Sequence, residues 1–226
     1  MMPLVSTLRK VGALLSKELL VEYRTKAGLM SFIQFSFISL FLVSMSMNAV
    51  SSSMGLETLS ALIWIIIIFT TLATLDKAFV QERERGTLLA LQLYTPAQVV
   101  FLGKFLYNFC MVLVMSLLLG IGFIILMDVD VTNIGYIVLL LVLGDFGIAA
   151  AGTLLGALVA FMGNQHYLFA IISFPIFLPI FLLLIQAMTE VLGSTIPTMT
   201  SYLMILAYDL LVLAVSSILF DFLWYE

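Results

Sequence analysis

Long uncharged stretches alternate with short charged ones along this chain. Lys26 and Glu57 bracket the first uncharged stretch, Glu57 and Asp76 the second, and Lys104 and Asp128 the third. Asp145 and Glu190 bracket a longer one, with room for two segments. Its turn falls at Gly163-Asn164-Gln165-His166, a cluster of helix-ending residue types. The hydrocarbon core of a bilayer is crossed by about 20 mostly apolar helical residues. The pattern therefore predicts six spans, at 29–49, 58–79, between Lys104 and Asp128, and at 134–162, 167–188 and 201–222. These runs are apolar all round. Barrel strands alternate apolar and polar residues over about ten positions, so a β-barrel reading fails.

Ahead of the first span, Leu4, Leu8, Val11, Leu15 and Leu19 recur at helical spacing, with Arg9, Lys10, Lys17 and Glu18 off that stripe. This predicts an amphipathic helix lying in the membrane interface. Val11–Leu15 is too short for the apolar core of a cleavable signal peptide, so none is expected.

Composition agrees with the spacing. The chain of 226 residues is 63% hydrophobic and 10% charged, with a mean hydropathy of +1.23. Soluble domains carry about 25% charged residues. A soluble enzyme, a disordered tail and a nucleic-acid binder with a basic face are all excluded. A single cysteine, Cys110, excludes an internal disulfide framework and a cysteine-cluster metal site. All nine Lys and Arg precede residue 105, either before the first span or around the 76–104 connection. The positive-inside rule puts the N-terminus and residues 76–104 in the cytoplasm, and six spans return the C-terminus there.

The segment from Asp76 to Pro96 carries the functional inference. Glu82 and Arg85, three apart, can support one another on a helix that prolongs the second span. Gly86 suits the left-handed conformation that ends a helix. Thr87 can cap a short new one, with Leu88, Leu89, Leu91 and Leu93 as its apolar side. Thr95-Pro96 is a second start signal, with Pro96 at the first helical position. A short helix across the membrane surface follows.

Glu82-Arg83-Glu84 through Gly86-Thr87-Leu88 to Pro96 resembles the permease subunits of ABC-2-type transporters. More narrowly, Ile63-Trp64, Leu75-Asp76-Lys77-Ala78-Phe79, Gly103-Lys104 and the double-proline run Phe174–Ile180 resemble the heme exporter permease family, cytochrome c maturation protein B. The resemblance covers essentially the whole chain, read as one permease domain over 1–226. Ala90 departs from it, standing where the wider family often has an acid, and the tail after Phe222 lacks the usual cation.

The resemblance implies an inner-membrane subunit that pairs with a separate A-type ATP-binding subunit, through a coupling helix at Glu82, Arg83, Glu84, Arg85, Gly86, Thr87, Leu88, Leu91 and Pro96. It also implies the heme-handling C and D maturation subunits as partners, a homodimer in the complex, and heme as the candidate cargo. Leu88 and Leu91 are expected to fill a groove on the ATPase, with the 82–85 charges at its rim. The sequence holds no G-x-x-x-x-G-K-[ST] phosphate loop, so ATP hydrolysis is expected on the partner and no catalytic set is assigned here. Two other readings stand beside this one. One is a permease for another amphiphile, such as a drug or lipid-linked glycan. The other is a non-transporting scaffold that releases a heme-loaded partner.

Other residues carry two readings each. Asp145 and Asp209, well inside spans without a cation, either serve the transport path or a subunit interface, or are hydrogen-bonded packing residues. Asp145 is placed to meet a cation from another chain. Gly152 and Gly156, four apart, let helices approach closely inside the chain or across a dimer seam. Pro175 and Pro179 either serve the transport path or a subunit interface, as a hinge for alternating access, or simply make a bend, and free carbonyls near Ile171 and Pro175. His166 is either a heme ligand or a solvated turn residue. Trp64 and Trp224 read as interface anchors.

Overall fold

Inside a bilayer a chain can satisfy its backbone polar groups only as helices or closed barrels, and uninterrupted runs of Leu, Ile, Phe and Met take the first course. The computed structural model describes residues 2–50, 55–75, 79, 82–83, 85–129, 133–161, 166–193 and 198–225. Its helices are α1 (Met2–Thr25), α2 (Ala27–Val50), α3 (Leu56–Leu75), α4 (Leu88–Tyr94), α5 (Ala97–Met127), α6 (Ile134–Phe161), α7 (His166–Leu192) and α8 (Met199–Tyr225). No strand occurs among the described residues. Among the described residues, four helices are long and apolar enough to cross a membrane: α5, α6, α7 over Ile171–Leu192, and α8. Phe32–Ser46 in α2 and Leu56–Leu72 in α3 are shorter apolar stretches. The described residues are those of a helical membrane protein.

The core is organised around α6, which packs against α3, α5, α7 and α8. Lipid tails are as apolar as leucine, so helices associate in a membrane by close van der Waals fit, which favours small residues. Such residues cover most faces of α6. Gly144 lies under the indole of Trp64, and Gly147 lies against Asp209 and Ile180. Gly152 meets the side chain of Leu75, and a Cβ on Gly156 would stand 2.9 Å from the Leu75 carbonyl oxygen. Both glycines thus face α3 of the same chain.

The structure departs from the sequence reading at several points. The third span begins at Ala97 and not after Lys104. Lys104 sits inside α5, fully buried, because acids from elsewhere in the chain meet it there. Trp64 and Trp224 are buried and anchor no interface: Trp64 fills the space beside Gly144, and Trp224 stacks on Phe220.

The protein-facing side of α1 lies beside the expected apolar stripe and shares Val11 with it. It is formed by Val11, Leu14, Glu18 and Glu22, while Leu15 is half-buried and Leu8 and Leu19 are exposed. Leu4 lies outside the described side chains. The reason is α5: Leu14 packs against Gly103, and Glu18 and Glu22 find polar partners on α5. The expected turn residues Gly163 to Gln165 lie outside the described residues, and His166 opens α7. α7 continues through Pro175 and Pro179. The Tyr208 hydroxyl donates to the carbonyl of Ile176, beside the Pro175 carbonyl that Pro179 leaves without its helical donor.

A side chain at Gly156 must push α3 away from α6. Gly156→Val is expected to lower the detergent thermal midpoint of the purified protein by several degrees. Gly12, with nothing within 4 Å of an added Cβ, is the control. Gly12→Ala should hold or raise the midpoint, since glycine costs a helix interior roughly 1 kcal/mol relative to alanine.

Candidate functional site

The segment between α3 and α5 ends one helix and starts another within a few residues. Gly86 has φ +68°, a conformation that glycine adopts freely. The Gly86 N–H donates to the Arg83 carbonyl at 3.0 Å, and the Thr87 N–H donates to the Glu82 carbonyl at 2.9 Å. These paired bonds are the glycine-based helix stop that satisfies terminal carbonyls. Thr87 does not cap α4 with its side chain; its hydroxyl turns back to the Glu82 carbonyl at 3.2 Å. Pro96 is the residue before α5 and not its first. Its extended backbone, ψ 144°, lets the carbonyl accept from Val99 at 3.1 Å.

The short helix α4 divides its leucines between two sides. Leu88 is buried and Leu91 half-buried against the core. Leu89, Leu93 and Tyr94 are exposed at 72%, 81% and 84%. The expected groove-filling pair is therefore corrected: Leu88 and Leu91 hold α4 to its own chain, and the outward apolar side belongs to Leu89, Leu93 and Tyr94.

The C-terminal end of α8 holds α4 from below. Gln92 Nε2 donates to the Trp224 carbonyl at 3.2 Å, and Trp224 Nε1 donates to the Thr95 carbonyl at 3.3 Å. The Trp224 ring continues into Phe220, Phe101 and Phe79, with centroid separations of 5.3 to 5.6 Å. Phe161, at the end of α6, meets Trp224 edge-on. Offset and edge contacts of this kind contribute about 0.5–1.5 kcal/mol beyond the area they bury.

On the other flank lies a cluster of four charges. Lys104 Nζ is 2.9 Å from Glu18 Oε1 and 3.1 Å from Glu82 Oε1. Lys17 Nζ is 2.6 Å from Glu82 Oε1 and 3.2 Å from Glu18 Oε1. The Phe79 ring lies 5.1 Å from the Lys104 ammonium, within cation–π range. The cluster joins α1, the segment before Gly86 and α5. Burial pushes the Glu82 carboxyl up, but the Lys104 charge and the Lys17 hydrogen bond outweigh it and hold Glu82 below the usual carboxylate range. Burial likewise opposes the charge on Lys17, and its bonds to Glu82 and Glu18 outweigh that and raise it. A depressed acid and a raised base leave Glu82 and Lys17 charged at neutral pH. The Glu82 contribution is lost as pH falls through its lowered value, and that of Lys17 as pH rises through its raised one.

Two expected roles are overturned here. Glu82 forms no support for Arg85 and no rim, because the cluster draws it inward. Arg83 also turns to its own chain, donating to the Ala160 carbonyl in the last turn of α6, where helix carbonyls lack internal partners. Arg85 is exposed, and Glu84 lies outside the described residues.

The intramembrane acids lie apart from this site. Asp145 is fully buried and accepts a hydrogen bond from the Ser116 hydroxyl of α5. It is closed in by its own chain, so the expected contact with another chain's cation is corrected. Asp209 faces Gly147, and neither of its carboxyl oxygens has a hydrogen-bond partner among the described residues. The His166 side chain lies outside the described side chains. Among the described residues, no three His, Cys, Asp or Glu converge as a metal site would require.

The family model described as CcmB protein matches residues 9–221. The chain belongs to the CcmB family, the heme exporter protein B family. No curated protein matches the chain.

The sequence reading of this CcmB-family chain missed Lys17, Glu18, Lys104, Phe79 and Trp224 as parts of the site. One signal was available: Lys104 is a lone cation in an otherwise apolar run, and such a residue needs an acidic partner. For Trp224 no local signal existed, since its partners Gln92 and Thr95 lie far away in sequence.

Removing one member of a buried ion pair leaves the other uncompensated, at a cost of about 3–5 kcal/mol. Lys104, with a side chain 0% exposed, falls in that class. Lys17, at 47%, is partly solvated, and such pairs contribute about 0–1 kcal/mol. Lys104→Met should therefore destabilise the detergent-solubilised protein far more than Lys17→Met. Equal effects on the unfolding midpoint would contradict the cluster as described.

Proposed function

We propose that this CcmB-family chain is the membrane-spanning subunit of a complex that handles heme for the maturation of c-type cytochromes, and that a separate ATPase subunit drives it through α4. The observation that carries the ATPase contact is the outward side of α4. Leu89, Leu93 and Tyr94 are almost fully exposed on a helix fixed to the bundle by Trp224 on one flank and by the segment holding Glu82 on the other. Apolar side chains held rigidly outward suit a groove on a partner protein. A stroke delivered to α4 has stiff paths into the bundle: Glu82 to α1 and α5, Arg83 to α6, and Trp224 to α8. This sequence contains no phosphate-loop motif of its own, which supports ATP hydrolysis on the partner. Family membership supports heme as the cargo of the complex, with C- and D-type maturation subunits beside it.

In this reading α2, α3, α5, α6, α7 and α8 make six crossings, and both termini and α4 lie on the cytoplasmic side of the inner membrane. The grouping of all nine cations before residue 105 supports that orientation. Two copies of the chain would meet two ATPase subunits.

Two experiments test the proposal. The first is co-purification of the ATPase subunit from detergent at matched membrane levels. Truncating a leucine packed in a buried groove costs roughly 2–5 kcal/mol, so Leu89→Ala with Leu93→Ala should abolish capture. Arg85→Ala, a solvated charge, should cost about 0–1 kcal/mol and retain it. Leu88→Ala should instead lower the stability of the chain itself. Gly86→Val, forbidden φ +68°, should re-aim α4 and lose capture with all the leucines in place. Full capture by the Leu89/Leu93 variant excludes α4 as the contact.

The second is orientation. In a Cys110→Ser background, a cysteine at Arg85 should resist a membrane-impermeant thiol reagent added outside intact cells, while one at Glu57 should react. Equal labelling at the two positions contradicts the six-crossing arrangement.

A further inference from the structure

α1 has three distinct sides. The first faces the protein and carries Val11, Leu14, Glu18 and Glu22. These are the described core contacts of α1 together with its only two acids. Both carboxylates are turned inward, to Lys17 and Lys104 and to the Tyr107 hydroxyl. A second row, Leu8, Leu15, Leu19 and Tyr23, follows helical spacing and is exposed except for half-buried Leu15. A third row, Lys10, Lys17 and Arg24, repeats every seven residues, close to two full turns, so its members stand on one side at about 10 Å steps. At 3.6 residues per turn the apolar and cationic rows lie on opposite flanks of the buried side. Lys10 and Arg24 are exposed, and neither joins an ion pair among the described residues. Arg9, between the two rows, and Lys26, just past the helix with its ammonium over the Tyr23 ring, are also exposed. The outward surface of α1 thus carries no carboxylate at all.

We propose that the Lys10–Lys17–Arg24 side of α1 is a binding surface for anionic phospholipid headgroups. The apolar flank fixes the depth of the helix, with Leu8, Leu19 and Tyr23 in the acyl boundary. Long cationic side chains extend from such a helix to the headgroup layer while their stems stay on apolar surface. Spacing of about 10 Å exceeds one lipid headgroup, so each cation meets its own phosphate. The inward pairing of Glu18 and Glu22 removes the repulsion that would otherwise oppose the contact. Lys17 is shared: its Nζ is held by Glu82 and Glu18 while its side chain remains half exposed. Lipid charge is thereby placed beside the buried cluster. This surface does not depend on how the ATPase is engaged.

The test uses the full chain reconstituted in phosphatidylcholine vesicles that carry a trace of spin-labelled phosphatidylglycerol or spin-labelled phosphatidylcholine. The motionally restricted fraction of each label gives the relative association. One cation at an anionic surface is worth about a fivefold preference, so the wild-type protein should favour phosphatidylglycerol by about fivefold or more. Lys10→Gln with Arg24→Gln should lower the ratio by about fivefold or more, and Lys10→Arg with Arg24→Lys should keep it. Arg85→Gln, an exposed cation away from α1, should also keep it. At 1 M salt, where screening acts within about 3 Å, the wild-type preference should collapse. An equal association of both labels with the wild-type protein overturns the proposal, and is the outcome expected if the surface instead serves an acidic protein. So does an unchanged ratio in the folded double glutamine variant. Should that variant not fold, a wild-type preference that survives 1 M salt overturns it equally.

Discussion

A charge taken out of water must be met by an opposite one, and in this chain that demand falls on Lys104. Its ammonium is buried inside α5 and is met by Glu18 from α1 and Glu82 from the segment after α3. An isolated ammonium there would cost several kcal/mol, so the three elements cannot separate without exposing or stranding a charge. The docking of α1, the position of the glycine stop at Gly86 and the direction in which α4 leaves it all follow from this one requirement. Lys17 completes the neutralisation from the wet side. The cluster specifies an arrangement more than it adds stability, since buried ion pairs roughly break even against well-packed apolar residues.

The rest of the bundle supplies the frame against which that cluster works. α6 is lined by glycine and alanine, so its neighbours approach closely, and Leu75 at the end of α3 rests directly on Gly152 and Gly156. This contact fixes where the segment after α3 begins. Phe79, Phe101, Phe220, Trp224 and Phe161 then form a stiff aromatic seat under α4. α4 makes few buried contacts of its own. Its pose is borrowed from the cluster on one flank and the seat on the other.

Helices were legible in the sequence because a bilayer enforces long apolar runs, and such runs are visible without any partner. The stop at Gly86 was legible for the same reason: a left-handed residue is a local property. What the sequence concealed was pairing. Leu88 and Leu89 are indistinguishable as letters, and only the position of the core decides that one is buried and the other exposed. Lys104 marked the edge of a span in a count of charges. It became an interior residue only once Glu18, many residues away, was seen to reach it. The protein-facing side of α1 was hidden likewise, since helical spacing finds an apolar stripe but cannot anticipate that Glu18 packs inward against Lys104 and Glu22 against Tyr107.

The central claim is that Glu82 and Lys104 act as one unit across the cluster. A double-mutant cycle on Glu82→Gln and Lys104→Met measures this most directly, with unfolding followed in mixed micelles as the denaturing detergent fraction rises. The account predicts a coupling energy of about 1–3 kcal/mol between the two positions, as contacting members of one ionic network show. Two substitutions whose effects simply add, within about 0.5 kcal/mol, would contradict it.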